Sequence, residues 1–364
     1  MSSAVRLVRV MVVDDSVVVR GVFGRIIDAQ PDMKVATTAA NGRAALDALR
    51  QVEIDVVLLD VEMPEMDGLE ALPKILAMRP NVRVIMASSL TMKGAAVTMT
   101  ALGLGAADFV HKPVAKGGTA SMDTVAKDLV EKIRALGRRA QSGRYPAVTT
   151  ADEPRVQAPV RVLAAANEIA PRVLAIASST GGPNALAELL AGLPTDFPLP
   201  ILITQHMPPL FTTLLAERLT RDAGRPCIEA KEGDAIVAGR AYIAPGDWHM
   251  TLRTMERKPI IRLVQSAHEN HCRPAADPMF RSVASIFGAS ALAVVLTGMG
   301  EDGRRGCQVI VENGGKVVVQ DEPTSVVWGM PGAVVEAGLA SAILPLKEIA
   351  AHICRLTLVG GGVA

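Results

Sequence analysis

At 364 residues the chain is long enough for two domains with separate cores, since one domain takes about 100–200 residues. Hydrophobic residues make up 49% of it and aromatics only 3%, so the cores must be built from Ala, Val, Leu, Ile and Met, as buried parallel sheets covered by helices usually are. Lys plus Arg (38) nearly balances Asp plus Glu (37), which removes the electrostatic case for nucleic-acid binding or a strongly cationic membrane binder and leaves a protein or small molecule as partner.

The first apolar run stops at Asp14-Asp15, before a signal-peptide core could form, and no apolar stretch reaches about 18 residues, which predicts a soluble cytoplasmic protein. From Val8 to about Arg134, strand candidates Val8-Val13, Val35-Thr38, Val56-Leu59, Val82-Ala87 and Ala107-Val110 alternate with helical segments such as Val17-Ala29 and Ala44-Arg50. That rhythm predicts a doubly wound α/β unit with its ligand at the carboxyl ends of the strands. Asp14 and Asp15 end the first strand and Asp60 the third, so three carboxylates converge and repel each other unless a cation such as Mg²⁺ sits among them. Ser88 and Lys112 end the fourth and fifth strands and bring a hydroxyl and a cation to the same edge. Taken singly, such an Asp is a helix N-cap and such a Lys a solvated charge.

The text Val12-Val13-Asp14-Asp15-Ser16, Leu58-Leu59-Asp60-Val61-Glu62-Met63-Pro64-Glu65-Met66-Asp67-Gly68 and Asp108-Phe109-Val110-His111-Lys112-Pro113 closely resembles the response-regulator receiver domain. The resemblance implies a flavodoxin-like fold in which Asp60 accepts a phosphoryl group from a histidine kinase of the CheA type. It further implies that Asp15, Asp60 and the Glu62 carbonyl hold Mg²⁺, with Asp14 acting through water, and that Lys112 and Ser88 contact the phosphoryl oxygens. Phe109 matches the switch aromatic, although by residue type a core phenylalanine is the commoner explanation.

Residues 137–170 contain Gln-Ser-Gly-Arg-Tyr-Pro and Thr-Thr-Ala-Asp-Glu-Pro with no sustained period and read as a linker, with short helical pieces near Val162-Ala170. The expected division is therefore 1–136, a linker over 137–170, and 171–364. The second unit is again α/β with a mainly parallel sheet, from strand candidates Val173-Ala177, Ile201-Thr204, Ala241-Ile243, Ala293-Thr297 and Lys316-Val319.

Ser178-Ser179-Thr180-Gly181-Gly182-Pro183 stands where the first of these strands turns into a helix. It places a small hydroxyl nucleophile beside glycines that admit a substrate and a helix N-terminus that favours negative charge. Alone, the segment reads equally as a connecting turn or a weak phosphate cradle. His206 and Asp302 follow two further strands, so a hydroxyl, an imidazole and a carboxylate reach one sheet edge, the parts of a Ser-His-Asp hydrolase. The order Ser, His, Asp is not that of the lipase-like hydrolases. His249, His268 and His271 are rival imidazoles, and Asp302 among glycines also suits a turn. The cysteines Cys227, Cys272, Cys307 and Cys354 form no C-x-x-C pair, so neither a zinc site nor a disulfide framework is indicated.

Ala177-Ser178-Ser179-Thr180-Gly181-Gly182, Ile203-Thr204-Gln205-His206-Met207-Pro208-Pro209, Ala241-Tyr-Ile-Ala-Pro-Gly-Asp247, His249 and Leu296-Thr297-Gly298-Met299-Gly300-Glu301-Asp302-Gly303 resemble the catalytic domain of the chemotaxis protein-glutamate methylesterases of the CheB type. By that resemblance Ser179 is the nucleophile, His206 the general base and then acid, and Asp302 the orienting acid. Thr180 is implied as a neighbour of His206 and the Met299 N–H as an oxyanion donor, while the serine reaction needs no metal. The choice of Ser179 over Ser178 rests on alignment to Ser-Thr-Gly-Gly. One loop departs: where the family usually has Arg-His-Arg-Pro-Ser, this chain has His271-Cys272-Arg273-Pro274-Ala275, in which Arg273 could bind a carboxylate or form a surface salt bridge.

The implied whole is a cytoplasmic monomer that removes methyl esters from glutamates, and deamidates glutamines, of methyl-accepting chemoreceptors, restrained by its receiver until Asp60 is phosphorylated. It binds no nucleic acid and does not insert into the membrane. The competing reading is a non-enzymatic response regulator whose C-terminal domain binds a partner or nucleotide, but no G-x-G-x-x-G or G-K-[ST] supports it. A DNA-binding output is weaker still, because no basic recognition helix is present.

Overall fold

Short β-branched runs between amphipathic segments can bury both faces only as a parallel sheet between helix layers. A computed structural model describes residues 6–89, 91–112, 122–144 and 169–358. They fall into two units on either side of residues 145–168. The first unit holds β1 (Val8–Val13), β2 (Met33–Ala39), β3 (Val56–Asp60), β4 (Arg83–Ser88) and β5 (Asp108–His111). They form one five-stranded parallel sheet in the order β2-β1-β3-β4-β5. The order reverses between β1 and β3, so Asp14 and Asp60 emerge at the switch point, where open α/β sheets bind ligands.

The second unit contains β6 (Val173–Ser178), β7 (Ile201–Gln205), β8 (Cys227–Glu229), β9 (Ala241–Ile243), β10 (His249–Met255), β11 (Lys258–Val264), β12 (Ala291–Val295), β13 (Lys316–Gln320) and β14 (Ala342–Leu344). Seven of these pair in parallel in the order β14-β13-β12-β6-β7-β9-β8. Its core joins Val173, Ala175 and Ala177 of β6 to Ala293 and Val295 of β12 and to Met279, Phe280 and Val283 of the helix Ala276–Phe287. Crossovers run from β6 toward β7 on one side, and β12 to β14 fill the other, so the switch point lies between β6 and β12.

β8 and β14 are short edge strands that the pattern does not announce, and β10 and β11 form a separate antiparallel ribbon. The ribbon's turn is Glu256-Arg257, both in left-handed backbone at φ 49° and 63°, the conformation usually signalled by Asn-Gly. The expected linker start at 137 is corrected by the helix Met122–Arg144, which runs through it. Gly137 does not break that helix, because a Cβ there would run into the side chain of Val8, so glycine lets the helix lie close against β1. Residues 145–168, including the helical pieces expected near Val162, lie outside the described residues. No described helix is long and apolar enough to cross a membrane.

Candidate active site

β6 ends in two serines with opposite fates. Ser178 is fully buried and donates to the Gln205 Oε1 at 2.7 Å. Ser179 is half-buried, and its Oγ makes no hydrogen bond to any described residue. Its backbone is pinned instead, with the N–H donating to the Thr297 carbonyl (3.1 Å) and its carbonyl accepting from the Gly182 N–H (2.8 Å) and Gln205 Nε2 (2.9 Å). Gly181 at φ 78° turns the chain into the helix Gly182–Ala191. Gly182 must lack a side chain, since a Cβ would collide with Gln205 and Ser178. The result is a rigid backbone carrying one uncommitted hydroxyl at a helix N-terminus.

His206 follows β7, and its N–H donates to the Ser178 carbonyl at 3.2 Å. Its Nε2 lies 2.7 Å from Asp302 Oδ2, beyond the end of β12. The Asp302 carboxylate is buried and also accepts from Asn270 Nδ2 (2.8 Å) and from the N–H groups of Ala276 (2.6 Å), Asp277 (3.2 Å) and Gly303 (3.0 Å). Burial alone would push this carboxyl up, but the His206 partner and the backbone donors outweigh it and hold it below the usual carboxylate value.

Ala276 and Asp277 open the helix Ala276–Phe287, whose N-cap, Ala275, has no side chain to offer, so Asp302 caps that helix from a distance of 25 residues in sequence. Buried Asp277 returns the favour: its Oδ1 accepts from the Gly306 N–H (2.7 Å) near the start of Arg304–Glu312, a helix whose own N-cap is Gly303. Asn270, at φ 51°, clasps both carboxylates through one amide, with Nδ2 2.9 Å from Asp277 Oδ2.

With Nε2 committed to Asp302, the other ring nitrogen, Nδ1, has Cys272 Sγ 3.5 Å from it. Burial would lower the His206 imidazolium, but Cys272 and Asp302 together overcome this and raise it above the ordinary imidazole value. Ser179, His206 and Asp302 thus leave adjacent strands of one sheet, with the His206–Asp302 link closed and the serine hydroxyl not yet on the imidazole.

Thr180 is buried, and its carbonyl accepts from Thr297 Oγ1 at 2.9 Å. Met299 lies half-buried in the turn before Asp302, and no described residue accepts a hydrogen bond from its N–H. Arg273 forms an internal salt bridge, with Nε and Nη2 on Asp247 Oδ1 at 2.9 and 2.6 Å. His249 is buried in a structural role: Nδ1 accepts from the Ala275 N–H at 3.1 Å, and Nε2 lies 3.0 Å from the Ala267 carbonyl. His268 and His271 are exposed. Gln205, Asn270 and Asp277 escaped the sequence reading. Only Gln205, beside His206, carried a signal of place.

In the first unit Asp14, Asp15 and Asp60 present oxygens within 4.8 Å of one another. Lys112 Nζ bridges Asp14 Oδ2 (2.9 Å) and Asp60 Oδ1 (2.7 Å), and the Val61 N–H also donates to Asp60 Oδ1 (2.7 Å). Asp60 Oδ2 is buried without a hydrogen-bond partner among the described residues, the atom a cation would satisfy. Burial, opposed by Lys112 and reinforced by the Asp14 charge, raises the Asp60 carboxyl to about 6. Ser88 is buried and accepts from Thr98 Oγ1 at 2.7 Å. The Glu62 side chain points away to an exposed pair with Lys93 at 2.6 Å, which leaves only its carbonyl for a ligand. Phe109 is buried, its ring edge-on to His111 at 5.6 Å with Lys132 Nζ 5.2 Å from its centroid.

Comparison with known proteins places both units. Residues 174–353 match the CheB methylesterase family and residues 10–120 the response regulator receiver domain. A protein-glutamate methylesterase/protein-glutamine glutaminase of Rhodospirillum centenum is 48% identical over 369 residues, covering 96% of this chain and 93% of the relative. One from Caulobacter vibrioides is 50% identical over 348 residues, covering 95% and 97%. The crystal structure of the Thermotoga maritima CheB methylesterase catalytic domain is 40% identical with a TM-score of 0.50, over 52% of this chain and 100% of that one.

Proposed function

This chain belongs to the CheB methylesterase family, headed by a response-regulator receiver domain, and on that premise we propose that Ser179, His206 and Asp302 carry out its hydrolysis. It is a phosphorylation-regulated protein-glutamate methylesterase and protein-glutamine glutaminase that acts on chemoreceptors. The observation that carries the residue assignment is the His206–Asp302 pair at 2.7 Å on the sheet edge where Ser179 stands with its hydroxyl uncommitted.

Asp302 accepts the Nε2 proton of His206 and so fixes the tautomer in which Nδ1 is a base. Ser179 Oγ attacks the γ-carbonyl of a methyl-glutamyl or glutaminyl side chain as Nδ1 takes its proton. The Met299 N–H and the N-terminus of Gly182–Ala191 receive the oxyanion. His206 returns the proton to methanol or ammonia, and water then releases glutamate by the same route. Thr180, beside the nucleophile, is the residue taken to neighbour His206. The substrate is reached in the cytoplasm by a monomer.

The imidazole must be neutral to accept a proton, and its partners raise it, so kcat/KM should climb with pH along a limb centred above 6.5. Cys272→Ala removes one of the groups that favour the imidazolium and should move the limb to lower pH. A wild-type limb at or below 6.5 in the pH profile would contradict this electrostatic account.

In the receiver, Asp14, Asp15, Asp60 and the Glu62 carbonyl fit Mg²⁺, which when bound offsets the charge of the transferred phosphoryl group. Asp60 accepts the phosphoryl group from a kinase of the CheA type, Lys112 and Ser88 bind its oxygens, and Phe109 follows Ser88 as the switch. The unphosphorylated receiver restrains the esterase until Asp60 is phosphorylated. Counting methanol released from methyl-labelled receptor, with and without acetyl phosphate, tests the whole reading. The full-length protein should speed up with acetyl phosphate, whereas Asp60→Asn should not respond. A wild-type rate indifferent to acetyl phosphate would overturn the restraint, and no methanol at all would overturn the esterase.

A further inference from the structure

We propose that Cys272 is a modification site, a peroxide-oxidisable thiol whose oxidation switches the esterase off. The proposal rests on the assignment of His206 as the base. The described cysteines are all free, but they are not alike. Cys227 and Cys307 are buried, and burial pushes both thiols up, Cys227 to about 11, which leaves them protonated and inert. Cys354 is partly exposed, yet burial raises it as well. Cys272 is partly exposed and has Sγ 3.5 Å from His206 Nδ1.

The contact has a direction. His206 Nε2 donates to Asp302, so in the neutral ring Nδ1 is a lone pair facing the Cys272 S–H. A thiol, an imidazole and a buried carboxylate in series give the S–H proton an acceptor at the moment the sulfur reacts. The loop holds the sulfur in place: the backbones of Glu269 and Cys272 bond to each other in both directions (3.2 and 2.9 Å), and Asn270 is tied to Asp302 and Asp277. Sulfur therefore stands at the nitrogen that Ser179 must use.

As its S–H proton passes to His206 Nδ1, the Cys272 sulfur attacks one oxygen of hydrogen peroxide. An S–O bond forms, the O–O bond breaks, and hydroxide leaves and takes up a proton as water. The cysteine is oxidised by two electrons to a sulfenic acid, and the peroxide is reduced. The added hydroxyl sits beside Nδ1, where it can hydrogen-bond to the imidazole and keep Ser179 from it.

The test treats full-length wild type, Cys272→Ser and Cys272→Ala with hydrogen peroxide. Methanol release from methyl-labelled receptor is read relative to the same protein untreated, and sulfenic acid is trapped with dimedone and located by mass spectrometry. Wild type should lose about tenfold or more of its rate and recover with dithiothreitol, its adduct falling on Cys272 ahead of Cys354. Both variants should keep most of their own untreated rate. Equal losses in wild type and variants, or full activity with Cys272 trapped, would overturn the switch. A Cys272 that is trapped no faster than Cys354 would overturn the reactive thiol itself. Selective trapping in a protein that never releases methanol would instead sink the functional reading, and the switch with it.

Discussion

Ser179→Ala is expected to cut methyl-ester turnover by about 10⁴-fold or more, while Ser178→Ala keeps most of it. The neighbours are chemically identical, so environment decides between them. Ser178 faces inward, and its proton already serves Gln205 Oε1, in a place no substrate reaches. Ser179 has a fixed backbone and a free oxygen. The variants should also differ in stability, in the opposite sense to activity. Ser178→Ala orphans the oxygen of a buried glutamine, a loss of about 1–3 kcal/mol visible as a lower Tm. Ser179→Ala breaks no side-chain hydrogen bond and should melt near wild type. A fully active Ser179→Ala beside a dead Ser178→Ala would move the nucleophile one residue back.

Asp302→Asn should lower the rate by about 10⁴-fold for a reason visible in the donor count. Oδ1 faces three N–H donors, from Asn270, Asp277 and Gly303, so the new amide nitrogen is driven to the Oδ2 position. There it meets Nε2, which must give up its proton and become the acceptor. The ring proton moves to Nδ1, and the base is gone. The Ala276 N–H, 2.6 Å from Oδ2, loses its partner as well, so the variant should be destabilised by about 1–3 kcal/mol yet remain folded. Rates and circular dichroism at one temperature separate the two effects. Wild-type turnover in the folded variant would remove Asp302 from the mechanism.

The strand-end residues were legible because a parallel sheet turns sequence alternation directly into a shared edge. Asp14, Asp60, Ser88, Lys112, Ser179 and His206 follow from that rule, and Asp302 lies in the turn beyond β12. What stayed hidden depends on contacts across sequence. Asp277 reads as an ordinary first-turn acid, and nothing local shows that it serves another helix. Asn270 clasps two carboxylates only once three loops have met. The β10–β11 ribbon was missed because Glu256-Arg257 occupies a turn that glycine usually marks. The linker start at 137 misled in the other direction, since Gly137 lies inside a helix that packs closely on Val8. Cys272 was noticed only as a departure from family text, and its bearing on His206 needed the fold.

The helix Ala276–Phe287 begins on Asp302, in the turn just before Arg304–Glu312, while that second helix has the Gly306 N–H on Asp277 of the first. During synthesis, then, the nascent chain carries Ser179 and His206 long before Ala276–Phe287 can start properly, and the last of the three to leave the ribosome is Asp302, on which that helix begins. A chain cut short before Asp302 would lack a helix start as well as the proposed orienting acid, so it should lose folding stability rather than persist as a slow enzyme.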